Sequence, residues 1–495
     1  MAVRWLTLIL LLASFGLGAV ATVNPALSVA AIALCALALI SASRVRKTHW
    51  AHTATNLPPD WIVVLLPTAV ALRIISNVGS LIVLAILVAI VFIRRTDTKY
   101  KIHPGPLLLL LVAAAIVVVR PSSISAFLTF VLVCTIVLRL VSTVDARRLV
   151  ASLIDGLGLY LLANVVLYAV GLQSLSGEFR IGGLAESTGF VRIIYPLAAS
   201  INIPPVVAAI YGSAVIFLLV EPDRARRVLR FLCLLAGVIV LITAGTRAPL
   251  AVAVVLTTAV LCFPFITRWI AQAATLLTAV SAFVLPSIVL SLQSAITPLM
   301  SLSPGRVNSA QSITSLEGRD YVWSRSIEYW GQWVNDLPHM LFGFGANGHY
   351  RSGASLTYSD RFVAIIRDPE ASAFMHNSFL QQLFDGGIVG WLLLAGAVYW
   401  ASERLARHRR DWGYLGSSTI VAMAALILSG MTEVYYAPGV GADLFVVLLI
   451  FVAAGCQASV RQADDQADPQ TTDSSPAPHL RPISPDGGTR RAVSG

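Results

Sequence analysis

The stretch Phe374-Met-His-Asn-Ser-Phe-Leu-Gln-Gln-Leu-Phe-Asp-Gly-Gly-Ile-Val-Gly390 decides how this chain is read. It begins in a polar segment and runs straight into an apolar helix. His376 therefore stands at a water–lipid boundary, where an imidazole can meet both a polar acceptor and a lipid-borne donor. Apolar runs of roughly twenty residues, the length that crosses a bilayer, recur on either side of it. The chain is 57% hydrophobic and 12% charged, against about 25% charged in a soluble domain. Its continuous Leu/Val/Ala/Ile runs indicate an all-α polytopic membrane protein and not a barrel of short alternating strands.

Hydropathy gives about fourteen spans, with about 12–14 transmembrane helices as the working range. They fall near 5–22, 25–43, 61–76, 79–93, 105–119, 124–141, 149–171, 202–220, 229–245, 248–266, 269–292, 378–401, 413–431 and 441–457. The net charge is +10. Basic clusters such as Arg44, Arg46 and Lys47, or Arg147 and Arg148, occupy alternate short connections, the positive-inside pattern and not a nucleic-acid surface. This orientation puts both termini in the cytoplasm and the 172–200 and 293–377 connections outside. The expected organisation is transmembrane helices over 1–292, a large extracytoplasmic loop over 293–377, further helices over 378–458, and a disordered cytoplasmic tail over 459–495. The five cysteines include no CxxC pair and read as small hydrophobes.

The long loop is the asymmetry of the chain. Loops of that size are functional or disordered, and its Trp323, Trp330, Trp333, Phe342, Phe344 and Tyr350 argue for a folded element. Residues 315–330 carry apolar side chains at helical spacing, which predicts an amphipathic helix at the outer interface. Gly343-Phe-Gly-Ala-Asn-Gly348 lacks a strand–helix frame, so it reads as a turn returning the loop to the next span and not as a nucleotide fingerprint.

Among the eight histidines, His339, His349 and His376 are outside, and of these His376 alone abuts a span. A capping histidine and a reacting one are both open at this point. No acidic or cysteine partner at ligand spacing points to a metal. Arg247 sits between two spans with almost no loop, where a guanidinium meets an anion or snorkels to the interface. Arg180 and Arg192 lie in the smaller outer loop, and Arg319 follows Gly318 in the larger one. Arginine forks match phosphate oxygens, so these residues and one boundary histidine suit a lipid-linked phosphate or diphosphate.

Together these residues resemble the O-antigen ligase/polymerase family of bacterial envelope glycosyltransferases. The resemblance rests on His376-Asn377, nine residues, then Gly387-Ile-Val-Gly390; on Thr246-Arg247-Ala248 at an outer helix end; and on Gly318-Arg319, Trp323 and Gly343-Phe344-Gly345 in that order. Pro249 departs from the small residues commoner in the family. The resemblance implies a GT-C-like fold in the bacterial cytoplasmic (inner) membrane, with the site on the extracytoplasmic face. It implies transfer of a glycan from a polyprenyl-diphosphate (undecaprenyl diphosphate) carrier to a glycan or glycolipid acceptor hydroxyl, metal-independent, inverting and without a cofactor. His376 is then the general base. Arg247, Arg319 and, less directly, Arg192 hold the diphosphate, and Asn377, Gly387, Gly390 and Trp323 support the motif. A protein O-oligosaccharyltransferase is the alternative within the family. A transporter or flippase is the alternative outside it, with Arg73 and Asp155 as the mid-span ionisable residues that reading needs.

Overall fold

A computed structural model describes residues 58–94, 100–172, 193–198, 200–219, 223–244, 246–300, 319–362, 370, 373–438 and 444–458; the side chains at 247, 264, 286–300, 334, 361, 362 and 458 are not among those described. The two spans expected before residue 44, the tail from 459, and Arg180, Arg192 and Gly318 lie outside the described residues.

Among the described residues every regular element is helical. The bundle runs α1 (Trp61–Ala71), α2 (Asn77–Ile93), α3 (Gly105–Val118), α4 (Ile124–Thr143), α5 (Ala146–Ala169), α6 (Ile203–Leu218), α7 (Arg224–Thr243), α8 (Arg247–Cys262) and α9 (Ile270–Met300). The loop contributes α10 (Arg319–Gly331), α11 (Leu337–Phe342) and α12 (Gly348–Arg351), and the chain returns through α13 (Ser378–Arg407), α14 (Gly413–Ser429) and α15 (Phe445–Ala458). Among the described residues Ile124–Thr143, Ala146–Ala169 and Ser378–Arg407 are long and apolar enough to cross a membrane, and Trp61–Ile74, Asn77–Ile93, Gly105–Val118, Ile203–Leu218, Ala248–Cys262, Ile270–Leu285, Gly413–Ser429 and Phe445–Gln457 are shorter apolar helices.

Local chemistry sets the helix starts. Asp60, Ser76, Ser123, Asp145 and Asp223 each accept a backbone N–H at the first turn of α1, α2, α4, α5 and α7. Each such cap contributes about 0.5–2 kcal/mol. Pro67 lies inside α1, which ends early in a 3-10 turn holding Arg73.

Burial sorts the helices into a centre and a rim. From Phe445 to Cys456 nearly every α15 side chain is buried, and α14 is buried along most of its length. By contrast Ile82, Ile86, Ile90 and Ile93 make an exposed apolar stripe on α2. An apolar stripe facing outward at helical spacing is what lipid contact requires. Without a hydrophobic force between helices in lipid, close approach decides their packing. Gly156 of α5 meets the Val64 backbone of α1, where any side chain would collide.

Helix direction alternates, which gives the bundle two different ends. Basic residues collect at one: Arg94, Arg147, Arg148, Arg224, Arg226, Arg227, Arg407, Arg409 and Arg410 all flank helix termini there. Asp155 is held at this end by Arg226 and Arg230 of α7, at 2.6 and 2.9 Å. The other end carries the start of α6, the turn from Thr243 to Arg247, the start of α13 and the end of α14.

The helix expected over 315–330 is Arg319–Gly331. It packs against α9 and buries Val322, Trp323 and Ser326, so its apolar face meets protein. The glycine-rich turn joins it to α13. Phe344 and Gly345 N–H donate to the Phe384 and Asp385 carbonyls at 3.0 and 2.9 Å. Those carbonyls are available because α13 breaks at Gly387, whose φ of 65° and ψ of −169° are non-helical. Any Cβ on Gly387 would strike the Leu341 and Phe342 backbone at the end of α11. Gly390 instead faces the Gln382 side-chain amide. The loop is therefore spliced, backbone to backbone, onto the first two turns of the returning span.

Candidate active site

Asn377 starts α13. Its Oδ1 accepts from Phe379 and Leu380 N–H at 3.0 and 2.9 Å, and its Nδ2 donates to Ser281 Oγ and the Met431 carbonyl at 2.9 and 3.1 Å. The preceding residue, His376, has φ of 48°. Histidine tolerates the left-handed region better than most residues, yet such a conformation costs about 1–3 kcal/mol and persists only where its surroundings enforce it. The enforcement on the C-terminal side is visible. Ser378 N–H donates to the Gly430 carbonyl at 2.8 Å, and Ser378 Oγ donates to the Glu433 carbonyl at 3.0 Å while accepting from Tyr435 N–H at 3.0 Å.

These bonds stitch the connection after α14 to the turn at His376 and deliver Glu433. Both Glu433 carboxylate oxygens lie 2.7 Å from His376 Nδ1. Asn202 Nδ2, at the start of α6, donates to Glu433 Oε1 at 3.3 Å. Arg319, the first residue of α10, places Nη2 3.9 Å from the same Oε1. Burial raises the Glu433 pKa, but His376 and Arg319 outweigh it and hold the carboxyl below its usual range. Burial and the nearby Glu433 charge push the Tyr435 phenol well up, so it stays protonated.

An ionised carboxylate only accepts, so the proton between it and the ring belongs to Nδ1, and in the neutral form of the ring Nε2 is the nitrogen that carries the lone pair. A buried carboxylate that fixes imidazole tautomer and orientation is the arrangement by which histidine serves as a base.

Glu433 is the residue that sequence reasoning missed. It is 57 positions from His376, in a connection that hydropathy reduces to a short gap between two spans. The available signal was an ionisable residue, in Thr432-Glu-Val-Tyr-Tyr-Ala-Pro438, at a boundary where ionisable groups are costly.

The other expected site residues fall out as follows. Trp323 is fully buried, and its indole N–H donates to the Met375 carbonyl at 2.9 Å. Arg247 is the first residue of α8, at the same end of the bundle as Asn202, but its side chain lies outside the described residues. Arg192 lies outside them altogether; its neighbour Ile193 donates its N–H to the Thr243 carbonyl at 3.1 Å, beside the turn leading to Arg247. Arg73 is in the turn after α1 and not mid-span, and Asp155 is ion-paired. Among the described residues no three His, Cys, Asp or Glu side chains gather at metal-ligand distance.

A family model described as O-antigen ligase matches residues 206–395. The match spans Arg247, Arg319, His376 and both motif glycines, and stops before Glu433. No curated protein matches the chain. Over residues 206–395 this helical membrane protein is therefore similar to the O-antigen ligase family.

Proposed function

We propose that the protein moves a glycan from a polyprenyl-diphosphate carrier onto an acceptor hydroxyl at the outer face of the cytoplasmic membrane, with His376 as general base. The observation that carries this reading is the pairing of His376 Nδ1 with Glu433 at 2.7 Å, beside Arg319 and inside a boundary turn of the family segment. The two ends of the bundle support this orientation: most of the helix-flanking arginines gather at the end opposite His376, which the positive-inside rule would put in the cytoplasm.

In the reaction the acceptor hydroxyl loses its proton to His376 Nε2 as its oxygen attacks the anomeric carbon. The bond from that carbon to the phosphate oxygen breaks, and the polyprenyl diphosphate leaves with the electron pair. Attack opposite the leaving group inverts the anomeric centre. Glu433 stabilises the imidazolium that forms, a role that needs an ionised carboxylate. The departing diphosphate gains charge, which guanidinium groups stabilise. Arg319 is taken already by Glu433 in part, so one arginine is too few for a diphosphate; Arg247 and Arg192 supply the further positive charge. No metal is assigned to any step.

The test is transfer by purified protein supplied with a polyprenyl-diphosphate-linked oligosaccharide and a glycan or glycolipid acceptor. His376→Ala should fold and yield no product above background. Full transfer by that variant refutes the base, and donor use unchanged in Arg247→Ala and Arg319→Ala refutes their phosphate role. Solute movement that survives His376→Ala would instead mark a transporter.

A further inference from the structure

Arg319 and Trp323 stand four residues apart on α10 and so share one face, a turn apart. The Trp323 indole reaches back to the carbonyl of Met375 at 2.9 Å. On the other side of the same residue, Gln381 Oε1 accepts from Met375 N–H at 3.5 Å. Met375 directly precedes His376, so both polar groups of the backbone entering the strained residue are gripped by side chains. Gln381 is itself fixed. Its Nε2 donates to Asp385 Oδ1 at 2.8 Å and to His349 Nδ1 at 3.1 Å, and Asp385 Oδ1 also accepts from Gly348 N–H at 2.6 Å. Gln381, Asp385 and His349 are fully buried.

We infer that Trp323 and Gln381 are positioning residues: they clamp the Met375 backbone between them and thereby set both the left-handed turn of His376 and the spacing between its imidazole and the Arg319 guanidinium. The inference rests on His376 being the base. A non-glycine residue at positive φ needs holding on both sides. Asn377 and Ser378 hold it from the helix side, and the clamp holds it from the loop side. Because Trp323 rides on the helix that begins with Arg319, the same hydrogen bond registers that helix against the histidine. The Asp385–Gln381–His349 network ties the clamp to the glycine-rich turn, which gives the broken start of α13 a role in aligning the site.

The indole is a donor only, so Trp323→Phe removes the hydrogen bond and keeps most of the buried ring. Its expected effect is a fall in kcat on the order of ten-fold, the worth of one buried hydrogen bond, with the acceptor KM near wild type. Gln381→Met should lower kcat less, about two- to three-fold, because its bond to Met375 is near the length limit. The deciding measurement is a double-mutant cycle with Glu433→Gln, which disturbs the orientation of the same imidazole. The loss in kcat for Trp323→Phe with Glu433→Gln should be smaller than the product of the single losses. Losses that multiply, accompanied by a lowered thermal midpoint, would show packing alone and overturn the clamp. If Trp323→Phe does not fold, Gln381→Met carries the same cycle. Wild-type kcat in the folded clamp variants, with His376→Ala inactive, overturns the clamp alone; full transfer by His376→Ala overturns the base assignment beneath it.

Discussion

Asp155, inside α5, and Glu433, in the connection after α14, are both carboxylates held against guanidinium groups, at opposite ends of the bundle. Asp155 Oδ2 takes Arg226 Nε and Nη2 at 3.0 and 2.6 Å, and Oδ1 takes Arg230 Nε at 2.9 Å. The two arginines are one turn apart on a single helix, and Arg230 is 2% exposed. Each oxygen has a short, charge-assisted bond, and the arrangement is locally complete. Glu433 is served by three separate segments: the His376 turn, the start of α6 and the start of α10. Its guanidinium stands at 3.9 Å, beyond hydrogen-bond length, and the imidazole it orients is 24% exposed and carried on a backbone at positive φ. A saturated charge pair fastens helices together. A carboxylate that holds a histidine in tautomer and aim, with a cation close by, is what the proposed transfer requires.

The comparison breaks most directly at His376. Removing a positioned base costs about 10²–10⁴-fold in rate, so His376→Ala should lose transfer with its thermal midpoint little changed. Asp155→Ala should do the reverse. It strands the buried Arg230 and the partly buried Arg226, worth about 3–5 kcal/mol of stability, while each folded molecule transfers at the wild-type rate. A fall in kcat without a fall in midpoint would make Asp155 part of the reaction.

Glu433→Gln sharpens the contrast. The amide keeps the shape but loses the charge that stabilises the imidazolium, and a rate loss of about 10–100-fold is expected, as for other outer partners that orient histidine. Wild-type kcat would reduce Glu433 to a structural bond. The smallest effect is on pH. The folded Glu433 carboxyl lies below its ordinary range, so its contribution to stability is complete above an unfolded value of about 4.3 and disappears as pH falls through the lower folded value. The midpoint difference between wild type and Glu433→Gln should therefore be flat from about pH 8 to 5.5 and shrink only in stronger acid. A difference that shrinks between pH 7 and 6 would contradict the ionised pair.

The described helices were legible because apolar length and caps are local properties. The Asn377 boundary, the helix at Arg319 and the alternation of basic ends all follow from neighbours within a turn or two. The position of His376 at the head of a span was legible in the same way. Glu433 was not, since nothing within reach of one helical turn couples positions 376 and 433. The break at Gly387 was hidden for a related reason: a glycine in an apolar run reads equally as packing or as a kink, and only the arrival of the loop backbone at Phe384 and Asp385 makes the kink worthwhile. The helix expected at the interface packs Val322 and Trp323 on protein, and periodicity alone could not name that partner, because it reports that a face must be covered without saying by what.

Sequence alone indicated that this chain is a helical bundle suited to lipid, roughly where the described helices fall, and which histidine stands at the head of one, since each depends on the transfer of side chains from water and on bonding within a few residues. Tertiary structure decided that the histidine has a carboxylate, that an arginine shares it, and that the turn is forced into a left-handed conformation. Those features depend on three connections meeting at one end of the bundle, and only the packing of whole helices brings them within hydrogen-bond reach.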